Sequence, residues 1–186
     1  MKFNYVKILM TLLVLGTGFY LFKVINEPIR FKSDEKERRA AVIDRLKEIR
    51  QAQFYYKDLK SHFADNFDSL IYTLTYDTFI VIRVMGNPDD TNQVIRRDTS
   101  YILARDSVFT AAGHSVEDLQ YIPYSNKKKF FLDADVIESN KVRVHVFQAS
   151  ALYRDIFHDR DTKLFDKHRS ISVGSLTEAS YAGNWE

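Results

Sequence analysis

The chain has 186 residues, no cysteine, 45% hydrophobic residues, 14% aromatics, six glycines and three prolines. That composition describes one domain, two at most, with a real core and too few breakers for a disordered chain. Zero cysteine excludes disulfide frameworks, thiolate metal sites and thiol nucleophiles. The formal charge of +2 is unevenly placed, since residues 1–32 carry Lys2, Lys7, Lys23, Arg30 and Lys32 against Glu27 alone. The remainder is slightly acidic with both signs interspersed. It lacks the basic stripe of a folded nucleic-acid binder, so nucleic acid is not an expected partner.

From Ile8 to Phe22 the chain reads ILMTLLVLGTGFYLF without a charge. Extended to residues 5–25, this run makes a helix about 31 Å long at 1.5 Å per residue, the thickness of a bilayer's hydrocarbon core. Lys7 and Lys23 suit the two interfaces by snorkelling, and Tyr5, Tyr20 and Phe22 suit the headgroup zones. A cleaved signal peptide needs small residues after its apolar region, whereas this one runs into Phe19-Tyr20-Leu21-Phe22-Lys23. The expectation is an uncleaved single-pass anchor in a bacterial inner membrane. Residues 1–4 form a short cytoplasmic tail, and the part after residue 25 lies in the periplasm.

Residues 26–32 read as a linker, because Pro28 removes a backbone donor and is expected to end or kink the membrane helix. Ser33 is a candidate N-cap for an amphipathic stalk helix over residues 33–62, with Asp34, Glu35 and Glu37 in its first turn. Asp34/Arg38 and Glu35/Arg39 stand at i,i+4 in the favourable acid-first order. Val42, Leu46, Ile49, Ala52, Gln53, Tyr56 and Leu59 recur at steps of three and four, which marks the buried stripe. Arg45, Lys47, Glu48, Arg50 and Lys57 occupy the other face.

Residues 63–186 read as an α+β extracytoplasmic domain packed with that helix. Asp65 and Asn66 cap a short helix reaching about Leu74. Thr78–Met85 is β-rich and nearly all apolar, as in a central strand, and residues 86–90 form a loop. Further strands are expected over 99–104, 119–123, 130–134 and 141–147. In the last, Val142, Val144 and Val146 alternate with Arg143, His145 and Phe147 in a half-buried, period-two pattern. Short polar connections join neighbours into an antiparallel meander. The fold class is α+β, a transmembrane helix and a long amphipathic helix packed on a small antiparallel sheet.

No catalytic template is met: there is no glycine-rich phosphate loop, no HExxH and no G-x-S-x-G. No catalytic residue, cofactor or metal ligand is assigned. The nearest approach to a metal site is Asp155, His158, Asp159, Asp161, Asp166 and His168, but Arg154, Arg160, Lys163, Lys167 and Arg169 interleave with these acids and repel a cation. The run Asn87–Asn92 offers oxygens for calcium without the terminal acid of an EF-hand loop, and reads as a turn. His145 reads as a packed or edge histidine, and Lys127-Lys128-Lys129 as a solvated turn. Phe54, Tyr56 and Phe63 suit the core, and Tyr55 suits a partner's surface.

The stretch AAVIDRLKEIRQAQFYYKDLKSHFADNFDSLI, residues 40–71, resembles the stalk helix of type IV pilins and type II secretion pseudopilins. The likeness lies in a hydrophobic segment ended by a proline, then an amphipathic helix bearing Ile49, Arg50, Ala52, Gln53 and Tyr56, and it covers about the first 75 residues. The prepilin cleavage pair and the glutamate that follows it are absent, as Val6-Lys7 and Thr11 stand at the matching positions. The ending SVGSLTEASYAGNWE, with the INEPIRF segment, also looks like an uncharacterised family of small anchored bacterial proteins. The pilin resemblance implies a non-enzymatic structural or assembly component of an envelope complex, held in the membrane and contacting other subunits or copies of itself. Leu13, Val14 and Phe19 in the anchor and Arg38, Arg45 and Tyr55 on the stalk are the expected contacts. A stand-alone anchored ligand-binding or sensory module is the alternative, and a metal-dependent hydrolase a more distant one.

Overall fold

The computed structural model describes residues 2–85, 96–103, 115–139 and 141–186. Its dominant element is one unbroken helix, α1, from Lys2 to Lys60, about 88 Å long at 1.5 Å per residue. The sequence suggests separate membrane and stalk helices joined by a linker at 26–32. The structure carries the helix straight through Pro28, so Ser33 is interior and caps nothing. A helix-interior proline loses one hydrogen bond and crowds the preceding turn, at a cost of about 3 kcal/mol. Two features offset it. The Asn26 side chain donates to the Phe22 carbonyl at 2.8 Å, adding a bond in the turn just before the proline. In the turn just after it, Phe31 is buried against Phe157 and Phe165, at ring-centroid distances of 5.3 and 5.9 Å.

The two halves of α1 differ in what surrounds them. From Tyr5 to Arg30 nearly every described side chain is exposed, including Phe19 at 74%. From Phe31 onward one stripe is buried, with Val42, Leu46, Ile49, Ala52, Gln53 and Tyr56 inward and Leu59 half-buried. This is the stripe expected from the three-and-four spacing, and each large side chain on it contributes about 1.5–3 kcal/mol of burial. The helix ends where Ser61 takes a left-handed conformation (φ 67°) and its N–H bonds the Lys57 carbonyl at 2.7 Å. The buried Gln53 amide then grips the departing chain, donating to the Ala64 carbonyl at 2.8 Å and accepting the Ala64 N–H at 2.9 Å.

Helix α2 spans Phe67–Tyr76 and is capped by Asn66, whose side chain accepts the Ser69 N–H, as the Asp65-Asn66 sequence predicts. Strands β1 (Thr78–Met85) and β2 (Arg96–Leu103) follow as a two-stranded antiparallel hairpin. Thr78–Met85 is thus a strand as expected, but it belongs to this hairpin and is not central in the main sheet. The expected strand at 119–123 is not formed: its first two residues end a 3-10 turn, Val116–Gln120, and one bridge joins Tyr121 to Lys129. Leu119 supplies the reason: it is fully buried in the core beside α1 and α2, and a turn brings it there.

The main sheet has three antiparallel strands in the order β3-β4-β5: Phe131–Ser139, Val142–Leu152 and Ser170–Gly174. A two-residue connection joins β3 to β4. A single helical turn α3 (Tyr153–Ile156) and a 3-10 turn (Thr162–Leu164) lie between β4 and β5. One sheet face, built from Leu132, Ala134, Phe147, Ala149, Ala151, Ile171 and Val173, joins the buried stripe of α1 in one core. The period-two alternation of β4 is real, but the phase facing α1 is the Phe147 set. Val142 is 61% exposed, and Val146 is buried outside the main core. Strand β5 has no counterpart among the expected strands. The C-terminal segment closes the fold over it, with Asn184 bonding Ser170 and Ser172 and Tyr181 donating to the His145 carbonyl at 2.8 Å.

Candidate functional site

The densest set of long-range polar contacts forms a collar where α1 emerges from its exposed half. About two turns of the helix present Phe31, Asp34, Glu35 and Arg38 to the segment from Tyr153 to Arg169. Arg38 is the hub. Its two terminal nitrogens reach both carboxylate oxygens of Asp159 at 2.6 and 2.8 Å, and it also donates to the Ile156 carbonyl at 3.1 Å. The guanidinium lies over the Phe157 and Tyr124 rings, 5.6 and 5.4 Å from their centroids. The paired guanidinium holds the Asp159 carboxyl down at about 2, and the hydrogen bond to that carboxylate raises Arg38 in turn.

The neighbouring charges repeat the arrangement. Arg160 pairs with Asp34, and Arg169 lies 3.8 Å from Glu35, which also accepts from the Tyr153 hydroxyl at 3.3 Å. Burial raises the Tyr153 phenol. Lys128 of the lysine triplet reaches Asp155 at 2.5 Å, while the buried Ser125 hydroxyl shapes that turn through Ile122 and Lys128. The Asp34 and Glu35 charges therefore bond across more than 100 residues, where the i,i+4 spacing suggests partners within the helix. Beneath them Phe31, Tyr153, Phe157 and Phe165 form an aromatic cluster with centroid distances of 5.3–6.5 Å.

The residues singled out for metal binding are dispersed by this arrangement. Asp159 and Asp155 are held by Arg38 and Lys128, while Asp161 and Asp166 accept the N–H groups of Lys163 and His168 in local turns. Among the described residues no group of three or more histidines and carboxylates converges. The Asn87–Asn92 run lies outside the described residues. His145 is half-buried and lines a groove of about 360 Å³ with His62, Asp65 and Asp135 at the far end of α1.

The expected contact residues divide into two groups. Leu13, Val14 and Phe19 stand on the exposed half of α1, at 60–74% exposure. Arg38 and Arg45 are engaged inside the chain. Arg45 donates to the Asp118 carbonyl and lies 3.2 Å from Glu48, with only 13% of its side chain exposed. Tyr55 is half-buried against the core. Its neighbour Phe54 is the more exposed ring, and it meets Phe63, Phe147 and Tyr181 edge-on.

Sequence reasoning passed over Asp159 and Arg160 as helix partners, since it read them only as members of a mixed-charge run. The one signal was a dense alternation of sign facing an equally charged first stalk turn. A second clamp was also missed, in which Arg50 holds Glu186 at 2.9 Å and the Tyr181 carbonyl at 3.3 Å, lowering the Glu186 carboxyl. No family model matches this chain, and no curated protein or solved structure matches it either.

Proposed function

We propose that the chain is a single-pass, membrane-anchored structural or assembly component of a bacterial envelope complex, of the kind found in secretion or pilus-type machinery, and that it is not catalytic. The observation that carries this reading is the continuity of α1. The half from Tyr5 to Arg30 holds an apolar run long enough to cross a membrane, and that run is unburied. The other half is the spine of the domain core. A hydrophobic surface of this size is costly in water and favourable in lipid. With no break between the halves, a displacement of the domain is transmitted to the membrane segment as a rigid-body motion.

In this reading the short tail stays in the cytoplasm and the domain sits in the periplasm. The anchor residues Leu13, Val14 and Phe19 meet other membrane subunits or a second copy. The long helix on an antiparallel sheet supports a pilin-like role in side-by-side assembly. Crosslinking the full-length chain in its own membrane, followed by purification, tests the proposal. Defined protein partners or a homo-oligomer crosslinked through residues 13–19 are expected, and a chain that stays monomeric and unlinked argues against it. A reporter fused after Glu186 that works only in the cytoplasm would reverse the orientation. The groove at His145 favours the second reading, an anchored ligand-binding module. That reading gains if the chain purifies alone with a small molecule bound there.

A further inference from the structure

A groove of about 510 Å³ lies between the exposed half of α1 and the loop before β5. On the helix side, Phe19, Phe22, Glu27 and Arg30 lie along one face. On the loop side are Asp161 and Leu164. These residues are ordered by height. Phe19 and Phe22 belong to the apolar half. Arg30 stands about 12 Å above Phe22 at 1.5 Å per residue, or about 7 Å beyond residue 25. On the anchor reading, on which this inference rests, residue 25 ends the hydrocarbon span and Arg30 lies in the headgroup zone, which is about 5–7 Å deep per leaflet. The groove passes from hydrocarbon level to headgroup level within a single cleft.

Its charges separate into two kinds. Asp159 and Arg160, which also border the cleft, are engaged with Arg38 and Asp34. Arg30, Glu27 and Asp161 make no ion pair among the described residues. Asp161 accepts the Lys163 N–H through one carboxylate oxygen, and its other oxygen remains. The cleft thus presents one guanidinium, two carboxylates and an apolar floor. An anionic headgroup would meet a carboxylate excess. A headgroup carrying both a phosphate and a primary ammonium matches both signs, because guanidinium pairs with phosphate and N–H donors suit carboxylate acceptors.

The geometry points to a binding site for one phospholipid of the phosphatidylethanolamine type, with phosphate on Arg30, ammonium between Glu27 and Asp161, and acyl chain along Phe19 and Phe22. A quaternary choline has no N–H to donate and a glycerol headgroup has no cation, so both fit less well. The bound lipid fills the space between helix and loop and seats the base of the domain on the bilayer.

Native mass spectrometry of the full-length protein in detergent, with phosphatidylethanolamine, phosphatidylcholine and phosphatidylglycerol of identical acyl chains at equal concentration, tests this. One bound phosphatidylethanolamine is expected, favoured about tenfold over the other two. Arg30→Ala should weaken retention of all three. Glu27→Gln with Asp161→Asn should keep one lipid bound but remove the preference for ethanolamine over choline, and asparagine preserves the turn cap at 161. Equal retention of the three lipids, unchanged selectivity in the double variant, or a second protein chain in place of the lipid overturns the proposal. Alkaline washing of membranes separates the two levels. A chain that washes off overturns the anchor and this site together, whereas one that stays but shows no selectivity overturns the site alone.

Discussion

Arg38 and Asp159, 121 residues apart, meet through two parallel hydrogen bonds of 2.6 and 2.8 Å. This is the fork-on-carboxylate geometry in which arginine binds most specifically. The pair joins the middle of α1 to the loop leading into β5, at the level where the helix leaves the domain. Its asymmetry matters, because the Arg38 side chain is 12% exposed and that of Asp159 is 42% exposed. Arg38 also holds the Ile156 carbonyl and two aromatic faces, so its loss removes more than the ion pair.

Arg38→Met should therefore destabilise the domain more than Asp159→Asn does, by about 2–3 against about 1 kcal/mol. Chemical denaturation of the full chain in detergent measures both. Amide exchange in residues 156–165 should rise in each variant before the sheet is affected. Equal losses in the two variants would mean that the carboxylate contact accounts for the whole effect.

The acid response follows from the depressed carboxyl. Asp159 is held at about 2 by Arg38, against about 3.9 in an unfolded chain. Its contribution is fully present above pH 4 and disappears as the pH falls from about 4 to about 2. Glu186, lowered by Arg50, acts in the same direction. Thermal stability should thus be insensitive to these groups between pH 5 and 8 and should drop in acid. Asp159→Asn should lower the plateau and reduce the acid drop, which melting curves across the pH range will record.

Gln53 is buried and bonds both the N–H and the carbonyl of Ala64. Gln53→Leu leaves both backbone groups without a partner inside the core, at a cost of about 2–3 kcal/mol. Gln53→Glu, when ionised, keeps the acceptor but loses the donor and buries a charge, so it should recover toward an intermediate stability only at low pH, where the protonated carboxyl can donate again. Unfolding midpoints at two pH values check both statements.

Glycines at two places should respond differently to alanine. Gly174 has φ 73° and abuts the Phe147 carbonyl, so a Cβ there would be strained and would collide with backbone. Gly174→Ala should cost at least about 2–3 kcal/mol. Gly16 sits in open space on the exposed half of α1, and Gly16→Ala should leave domain stability unchanged while firming that helix. Parallel melting curves of the two variants decide it.

Two features are legible within a short window. The Asn66 side chain lies within three residues of the Ser69 N–H that it accepts, and the stripe from Val42 to Tyr56 repeats at the helical period. Failures came where a distant partner decides. Leu119 lies in a β-compatible stretch, yet its burial beside α1 and α2 requires a turn. In β4, the valines and the Phe147 set have the same period two. Alternation cannot state which set faces α1, because the deciding neighbours, Leu132, Ala134, Ile171 and Val173, lie on other strands.

By itself the sequence determined an apolar run at residues 5–25 with an uncharged core from Ile8 to Phe22, an amphipathic helix after it and an α+β remainder, since each depends on periodicity and composition within a short window. Only the tertiary structure decided that Pro28 does not end the helix. Proline's penalty is local and fixed, whereas the burial of Phe31 and the ion pairs of Asp34, Glu35 and Arg38 come from residues more than 100 positions away. The same long-range contacts turned Arg38 from an expected outward contact into the hub that holds the domain to its helix.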